Sequence, residues 1–332
     1  MPASFDRREK DKGESGKDEK MKKGEFGLIE WIRGQFPVPD GMLGIGDDCA
    51  VIPQRDGLET LITTDMLVEG SHFLLEDIDP YSLGWKSAAV NLSDIAGMGG
   101  KPVGTFLSVA LPKSLDDSFM EGFFRGYKDL SDKFDCPLLG GDTTASPDRM
   151  CINVTVLGSC AAGRSRKRSA AQPGDLVCVT GPLGDSAAGL KVILDKVERS
   201  EEETILRERH YRPLPRVEEG MKLAGTPGVN AMMDISDGIG SDLRHILEES
   251  GKGARVDVRN LPLSAELRTV CARRAWDPVV LALDGGEDYE LLFTCRPGTD
   301  IPVPYTVIGE ILAAPGLTWE GSERDFTGFK HF

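Results

Sequence analysis

The 332-residue sequence has only four histidines and seven cysteines, and no two cysteines form a C-x-x-C pair or a zinc-finger spacing. That pattern excludes a structural zinc centre and a dithiol redox motif. An odd, scattered set reads as reduced, mostly buried thiols of a cytoplasmic protein. No apolar run of about 18 residues is present, so no membrane-spanning helix is expected. The N-terminus carries charge without a following apolar stretch and does not read as a secretory signal. A G-x-x-x-x-G-K-[ST] phosphate loop is missing, because Gly100-Lys101 is followed by Pro102. Missing too are the H-R-D and D-F-G signatures of protein kinases, the G-x-S-x-G elbow and H-E-x-x-H. Positive charge is also scarce: 39 Lys and Arg stand against 54 Asp and Glu, a net charge of −15. Residues 1–23 hold 8 basic and 6 acidic residues and almost nothing apolar, which leaves −17 on the remainder. So acidic a body is a poor partner for nucleic acid or an anionic membrane. If it handles anionic substrates, metal cations must mediate.

What the sequence does have is oxygen donors in a recurring context. Gly44-Ile45-Gly46-Asp47-Asp48-Cys49-Ala50 sets two adjacent carboxylates on a glycine-flexed backbone between apolar runs. Adjacent anions repel unless water or a cation screens them. An apolar run ending in Asp or Glu beside Gly, Ser or Thr returns at Asp65, Asp94, Asp142, Asp234, Asp237 and Glu287. A single Asp-Gly turn is usually just a solvated turn. Six recurrences suit hard divalent cations, which take carboxylate and hydroxyl oxygens together with substrate phosphates.

Periodicity places these residues. Residues 1–23 are a charged tail expected to be disordered. Phe26, Leu28, Ile29, Trp31 and Ile32 form a helical stripe ended by Pro37 and Pro39. Glu59 to Asp65 reads as a strand ending on a carboxylate, and Pro80 opens a helix to about Met98 with Asn91 and Asp94 one turn apart. Pro102–Leu111 reads as a strand. Ser114 with Asp117 resembles a capping box opening the helix that carries Phe123, Tyr127 and Leu130. Cys136 to Thr144 reads as a short strand running into a glycine turn, and Met150–Gly158 as another strand. The small, basic stretch 161–174 is the best domain boundary. Beyond it, strands are expected at Asp175–Thr180, Val229–Asp234, Ala254–Val258, Val279–Leu283, Asp288–Thr294 and Tyr305–Ile311. Helices are expected after Gly184, over Glu198–Arg209, from Gly238 to Ser250 and over Ala265–Ala275. The alternation predicts a two-domain α/β and α+β chain: tail 1–23, first domain 24–160, second domain 161–332.

A resemblance rests on motifs in fixed order. Gly24-Glu25-Phe26, Gly44 to Ala50, and Thr63-Thr64-Asp65 running on to His72-Phe73 resemble the opening motifs of the thiamine-monophosphate kinase family. Asn91-Leu92-Ser93-Asp94, Gly140-Gly141-Asp142-Thr143-Thr144 and Gly184-Asp185-Ser186 follow in the family's order. So do Asp234-Ile235-Ser236-Asp237-Gly238, Gly285-Gly286-Glu287-Asp288-Tyr289 and Gly328-Phe329-Lys330-His331-Phe332. That family belongs with aminoimidazole-ribonucleotide synthetase and selenophosphate synthetase.

The resemblance implies an N-terminal mixed α/β domain that pairs in a homodimer, and a C-terminal α+β domain. It also implies direct, in-line transfer of phosphate from ATP to thiamine monophosphate, assisted by several Mg²⁺ ions. By the same resemblance Asp48, Thr63, Thr64, Asp65, Asp94, Asp142, Asp234 and Asp237 would ligate metal. Asp65, Asp94, Asp142 and Asp237 would be the catalytic carboxylates. Gly141, Asp142, Arg168 and Ser236 would contact ATP, and His72, Glu287 and Phe329 would contact thiamine monophosphate. Asp47 would support rather than ligate, and Phe329 stands where the family often has a Tyr. Small-molecule substrates, a homodimer and a cytoplasmic location are therefore expected, with no nucleic acid or membrane partner. Among rivals, a selenophosphate synthetase would carry a reactive Cys or selenocysteine near the N-terminus, and residues 1–48 hold no Cys. A hydrogenase-maturation relative would end in Cys, where this sequence has Phe332. From another class, a non-catalytic acidic protein that binds divalent ions is the alternative.

Overall fold

A computed structural model describes residues 24–196 and 199–329. The charged tail 1–23 and the terminal Lys330-His331-Phe332 lie outside the described residues. Helix α1, Gly24–Gln35, belongs to a unit of its own, and residues 38–329 form the main body.

The first half of that body is a sheet backed by two helices. Its strands are β1 Ala50–Pro53, β2 Leu58–Val68, β3 Lys101–Pro112, β4 Leu138–Ser146 and β5 Cys151–Ala161, in spatial order β1-β2-β5-β3-β4. All neighbours are antiparallel except β3 and β4. Strand β2 alternates: Leu61, Thr63 and Leu67 are buried, whereas Thr64 and Met66 on the other face are exposed. Helix α2, Pro80–Gly97, covers the inner face. Asp79 caps it by accepting from Ser82 N, and Pro80 sits where a missing N–H costs nothing. Helix α3, Asp117–Lys133, lies against α2 at backbone contact. A Cβ at Gly84 would stand 1.8 Å from the Phe123 carbonyl, and one at Gly126 would stand 1.9 Å from that of Tyr81. Leu92, Ile95, Phe123, Leu130, Ile152, Val154 and Val156 form the core between these layers.

The second half carries a six-stranded sheet in the order β11-β8-β10-β6-β9-β7. The strands are β6 Leu176–Val179, β7 Val229–Asp234, β8 Gly253–Asp257, β9 Leu291–Cys295, β10 Thr306–Leu312 and β11 Gly316–Glu320. Only β8 and β11 run parallel. The helices are α4 Asp185–Asp195, α5 Glu201–Tyr211, α6 Val217–Gly225, α7 Ile239–Ser250, α8 Ala265–Arg274 and α9 Pro278–Asp284. Helix α2 also touches α5, α6 and β7, so the functional end of the first half abuts the second.

Several expectations need correction. Val279–Leu283 is helix, not strand: Asp277 caps it and Pro278 occupies its first turn, signals that outrank a short apolar run. The α3 cap is Asp116, which accepts from Phe119 N, rather than Ser114. Gly140 and Gly141 lie inside β4 rather than in a turn. Parallel pairing brings the Leu107 carbonyl to 1.7 Å of where a Gly141 Cβ would be, so only glycine fits. Strand β2 runs three residues beyond Asp65. Elements β1, β11 and α6 had no expectation attached.

Candidate active site

Four of the expected carboxylates meet where α2 crosses the ends of both sheets. Asp65 projects from the inner face of β2 in the row of Leu61, Thr63 and Leu67, where the alternation calls for an apolar side chain. Thr63 Oγ1 donates to Asp94 Oδ2 at 2.5 Å, joining β2 to α2. One residue earlier on α2, Ser93 Oγ donates to Asp234 Oδ2 at 2.6 Å, joining α2 to the end of β7. Asp48 sits in the glycine-rich turn before β1. Arg168 holds its Oδ1 with Nε at 3.1 Å and Nη2 at 2.5 Å, while the Arg168 N–H donates to Asp47 Oδ1 at 2.7 Å. Asp48 Oδ2 is buried, with no side-chain partner among the described residues and the Asp234 backbone N–H as its neighbour. Gly97 makes the approach possible, because a Cβ there would lie 2.3 Å from Asp48 Oδ2 and 2.8 Å from Asp234 N.

Crowding shows in the proton affinities. Burial, then the charges of Asp65, Asp234 and Asp48, push the Asp94 carboxyl well above its usual range. Asp234 is pushed up to about 8, by burial and Asp48 first, against the Ser93 hydrogen bond and Arg168. Asp48 and Asp65 also rise, burial being the largest cause. Burial pushes Asp47 up to about 6. One guanidinium does not neutralise this set.

A second cluster surrounds Glu287. Lys86, buried in the middle of α2, places Nζ 2.9 Å from Glu287 Oε2 and 3.4 Å from His210 Nε2. His210, buried in the last turn of α5, has Nδ1 2.9 Å from Ser186 Oγ and 3.3 Å from Glu287 Oε2. Burial raises the Glu287 carboxyl, but Lys86, His210 and His72 outweigh it and hold it below the usual range. Glu287 and Tyr289 both adopt left-handed backbone, at φ of 64° and 50°, which costs about 1–2 kcal/mol each in a non-glycine residue. Hydrogen bonds hold the segment there. Glu287 N donates to Ser236 O at 2.7 Å, Tyr289 N donates to Ile235 O at 2.9 Å, and the Asp288 carboxylate accepts from Gly184 N and Ser186 N. Burial, then Glu287, Asp65, Asp234 and Asp94, push the Tyr289 phenol well up, so that ring lies within electrostatic reach of both clusters.

The remaining expected residues fall into two groups. His72 lies close enough to stabilise the Glu287 charge, and its Nδ1 accepts from Val68 N at 3.0 Å. Ser236 carries Glu287 through its carbonyl. Asp237 carries Phe329 N through its own at 2.9 Å, and the Phe329 ring is exposed. By contrast Thr64 points to the opposite face of β2 from Thr63 and bonds Val154 O and Thr155. Gly141 and Asp142 are exposed on the edge strand β4, three strand positions or about 14 Å from β2. Among the described residues the Asp142 carboxylate accepts from the neighbouring Thr143 N.

Sequence reasoning missed Lys86, His210, Ser93 and Tyr289. The one available signal was a lysine set among Leu83, Gly84, Ala88 and Ala89 on a helix otherwise made to be buried. Among the described residues no group of three or more His, Cys, Asp or Glu side chains is placed to hold a metal ion by itself. A cation here would have to complete its shell with substrate oxygens, as Mg²⁺ commonly does, and Asp48 Oδ2 is a buried oxygen that could take part.

Residues 46–160 match the family model of AIR synthase related protein, N-terminal domain, and residues 172–318 match that of the C-terminal domain. The chain is thus an AIR-synthase-related protein. Within that class the chain belongs to the thiamine-monophosphate kinase family. It is 43% identical to the thiamine-monophosphate kinase of Salmonella typhimurium, over 93% of this chain and 98% of that one. The solved structure of AaThiL complexed with AMPPCP and TMP matches with a TM-score of 0.86 at 37% identity, over 93% of this chain and 97% of that chain. The structure of thiamine monophosphate kinase from Aquifex aeolicus matches with a TM-score of 0.80 at 34% identity, over 90% and 97%.

Proposed function

We infer that this chain is a kinase that transfers the terminal phosphoryl group of ATP to the phosphate of thiamine monophosphate, yielding thiamine diphosphate and ADP. The observation that carries the reading is the convergence of Asp48, Asp65, Asp94 and Asp234 in one under-neutralised cluster beside Glu287, in a chain of this family. A phosphate monoester has a second pKa of about 6, so the acceptor oxygen is already largely anionic at neutral pH. No strong general base is needed, which suits a chain with four histidines. The barrier is repulsion between two polyanions, and phosphoryl transfer is mainly a matter of positioning and charge stabilisation.

Asp48, Asp65, Asp94 and Asp234, with Asp237 beside them, would hold more than one Mg²⁺, which would offset that repulsion. Arg168, already at the cluster, is a guanidinium suited to an ATP phosphate. Glu287 and His72 would receive the thiamine part, with Phe329 stacking on its pyrimidine. In this reading residues 24–160 supply most of the metal and ATP contacts, and residues 161–332 supply the substrate side.

A homodimer accounts for the residues left outside the cluster. The face of the first sheet turned away from α2 exposes Met66 and Phe106, and Val103 and Leu139 are also exposed on its strands. A second copy packed there would bury the apolar face and enclose the edge strand carrying Gly141 and Asp142. Among the described residues no helix is long and apolar enough to cross a membrane. Incubation with ATP, magnesium and thiamine monophosphate should give ADP and thiamine diphosphate in equal amounts. ADP without thiamine diphosphate would refute the assignment. Light scattering should give twice the chain mass of 36.0 kDa.

A further inference from the structure

Lys86 is 1% exposed and sits on α2 in the first half of the body, yet its carboxylate partner is on a loop of the second half. Burying an ammonium costs several kcal/mol before its partner repays it, and an apolar pair of the same size would serve stability as well or better. The details of the pair point elsewhere. An ammonium only donates, so His210 Nε2, 3.4 Å from Lys86 Nζ, must be the bare nitrogen. Burial first, then Lys86, lowers His210 to about 3, so the ring is neutral and its proton sits on Nδ1. That proton faces Ser186 Oγ and Glu287 Oε2. Lys86 thus donates to Glu287 Oε2, and His210 Nδ1, hydrogen-bonded to Ser186 Oγ, stands 3.3 Å from the same oxygen. Glu287 Oε1 has no hydrogen-bond partner among the described residues, and the side chain is 26% exposed.

We propose that Lys86 and His210 are positioning residues: they pin Glu287 Oε2 from two helices so that Oε1 is presented, ionised and in one orientation, to the amino or cationic part of thiamine monophosphate. The proposal rests on the reading that Glu287 meets the thiamine moiety. It adds that this contact is made by a preorganised acceptor rather than by a flexible surface carboxylate, whose ordering would weaken binding. The groups that face Glu287 are Lys86 from α2, His210 from α5, His72 from the loop after β2, and Tyr289 two residues along its own segment. Without Lys86, burial is the dominant influence on Glu287, and the carboxyl takes up a proton at higher pH.

The test compares the wild type with Lys86→Met, Glu287→Gln and the double variant, using KM for thiamine monophosphate, KM for ATP and kcat between pH 6 and pH 8. Lys86→Met should raise KM for thiamine monophosphate by about tenfold, the loss of one charged hydrogen-bond partner, and change KM for ATP less than about twofold. Its KM for thiamine monophosphate, relative to wild type, should fall as pH rises and Glu287 ionises. Glu287→Gln should show a raised KM with no such pH trend, and the double variant should be no worse than Glu287→Gln alone. Losses that simply multiply in the double variant, or a Lys86→Met profile parallel to wild type, would overturn the positioning role. A wild-type KM in Glu287→Gln would instead remove the Glu287 contact itself. If Lys86→Met does not fold, His210→Gln keeps the salt bridge but loses the Nδ1 donor. It should raise the same KM about threefold, and do so only when Glu287 is present.

Discussion

Around Asp94, four carboxylates share one guanidinium. Around Glu287, one carboxylate has an ammonium and two imidazoles nearby. Burial raises the carboxyls in both places, yet Asp94 and Asp234 end high and Glu287 ends low. The difference lies in where the compensating charge comes from. At Glu287 the chain supplies it, so the group is ready before any ligand arrives. At the acidic cluster the chain withholds it, and in the function proposed above arriving cations would supply it. Buried carboxylates in neighbouring clusters can thus share one residue chemistry and still differ in charge state.

The largest test of this contrast is at the acidic side. Asp65→Asn should leave circular dichroism and melting temperature nearly unchanged but lower kcat by about a hundredfold or more, since a preorganised charge in the reaction centre is lost. Near-normal turnover would remove Asp65 from the centre. A smaller effect is expected from Arg168→Met, which takes away the chain's own counter-charge. Asp48 is then buried unpaired, at a cost of about 3 kcal/mol. The melting temperature in chelator should fall, and added magnesium should recover part of the loss. Equal melting temperatures in chelator would show that Arg168 carries no part of the Asp48 charge.

The smallest effect concerns the other side. His210 titrates at about 3 in the fold, below the ordinary histidine value, so between those limits the unfolded chain takes up a proton that the folded one refuses. Its contribution to stability is fully present above about pH 6.5 and is lost as pH falls, at about 1.4 kcal/mol per pH unit. Urea denaturation at pH 5 and pH 7 should show that His210→Gln loses less stability on acidification than wild type. The difference between the two proteins isolates this group from carboxyls whose contributions run the other way.

Much of the architecture was readable along the chain. Val229–Asp234 has the bounds expected, and α2, α7 and α8 begin and end within a residue or two of the expected Pro80–Met98, Gly238–Ser250 and Ala265–Ala275. Those are places where capping, proline and periodicity agree. Reading failed where they compete. Val279–Leu283 is β-branched and apolar, but Asp277 and Pro278 make it a helix. Gly140-Gly141 looked like a turn and proved to be the place where two parallel strands touch. Asp48, Asp65, Asp94 and Asp234, marked by their motifs, lie together in the folded chain. Lys86 and His210 were not marked, because their meaning lies in a partner 201 and 77 residues away along the chain.

Composition and local pattern alone determined the charge balance of this chain, most of its helix and strand order, and the motifs that carry Asp48, Asp65, Asp94 and Asp234. Those are properties of residue type and of short-range backbone preference. Only the folded molecule decided which carboxylates are left short of positive charge and which one is satisfied. That outcome depends on burial and on distances of a few ångströms between residues remote in sequence, and no one-dimensional pattern records either.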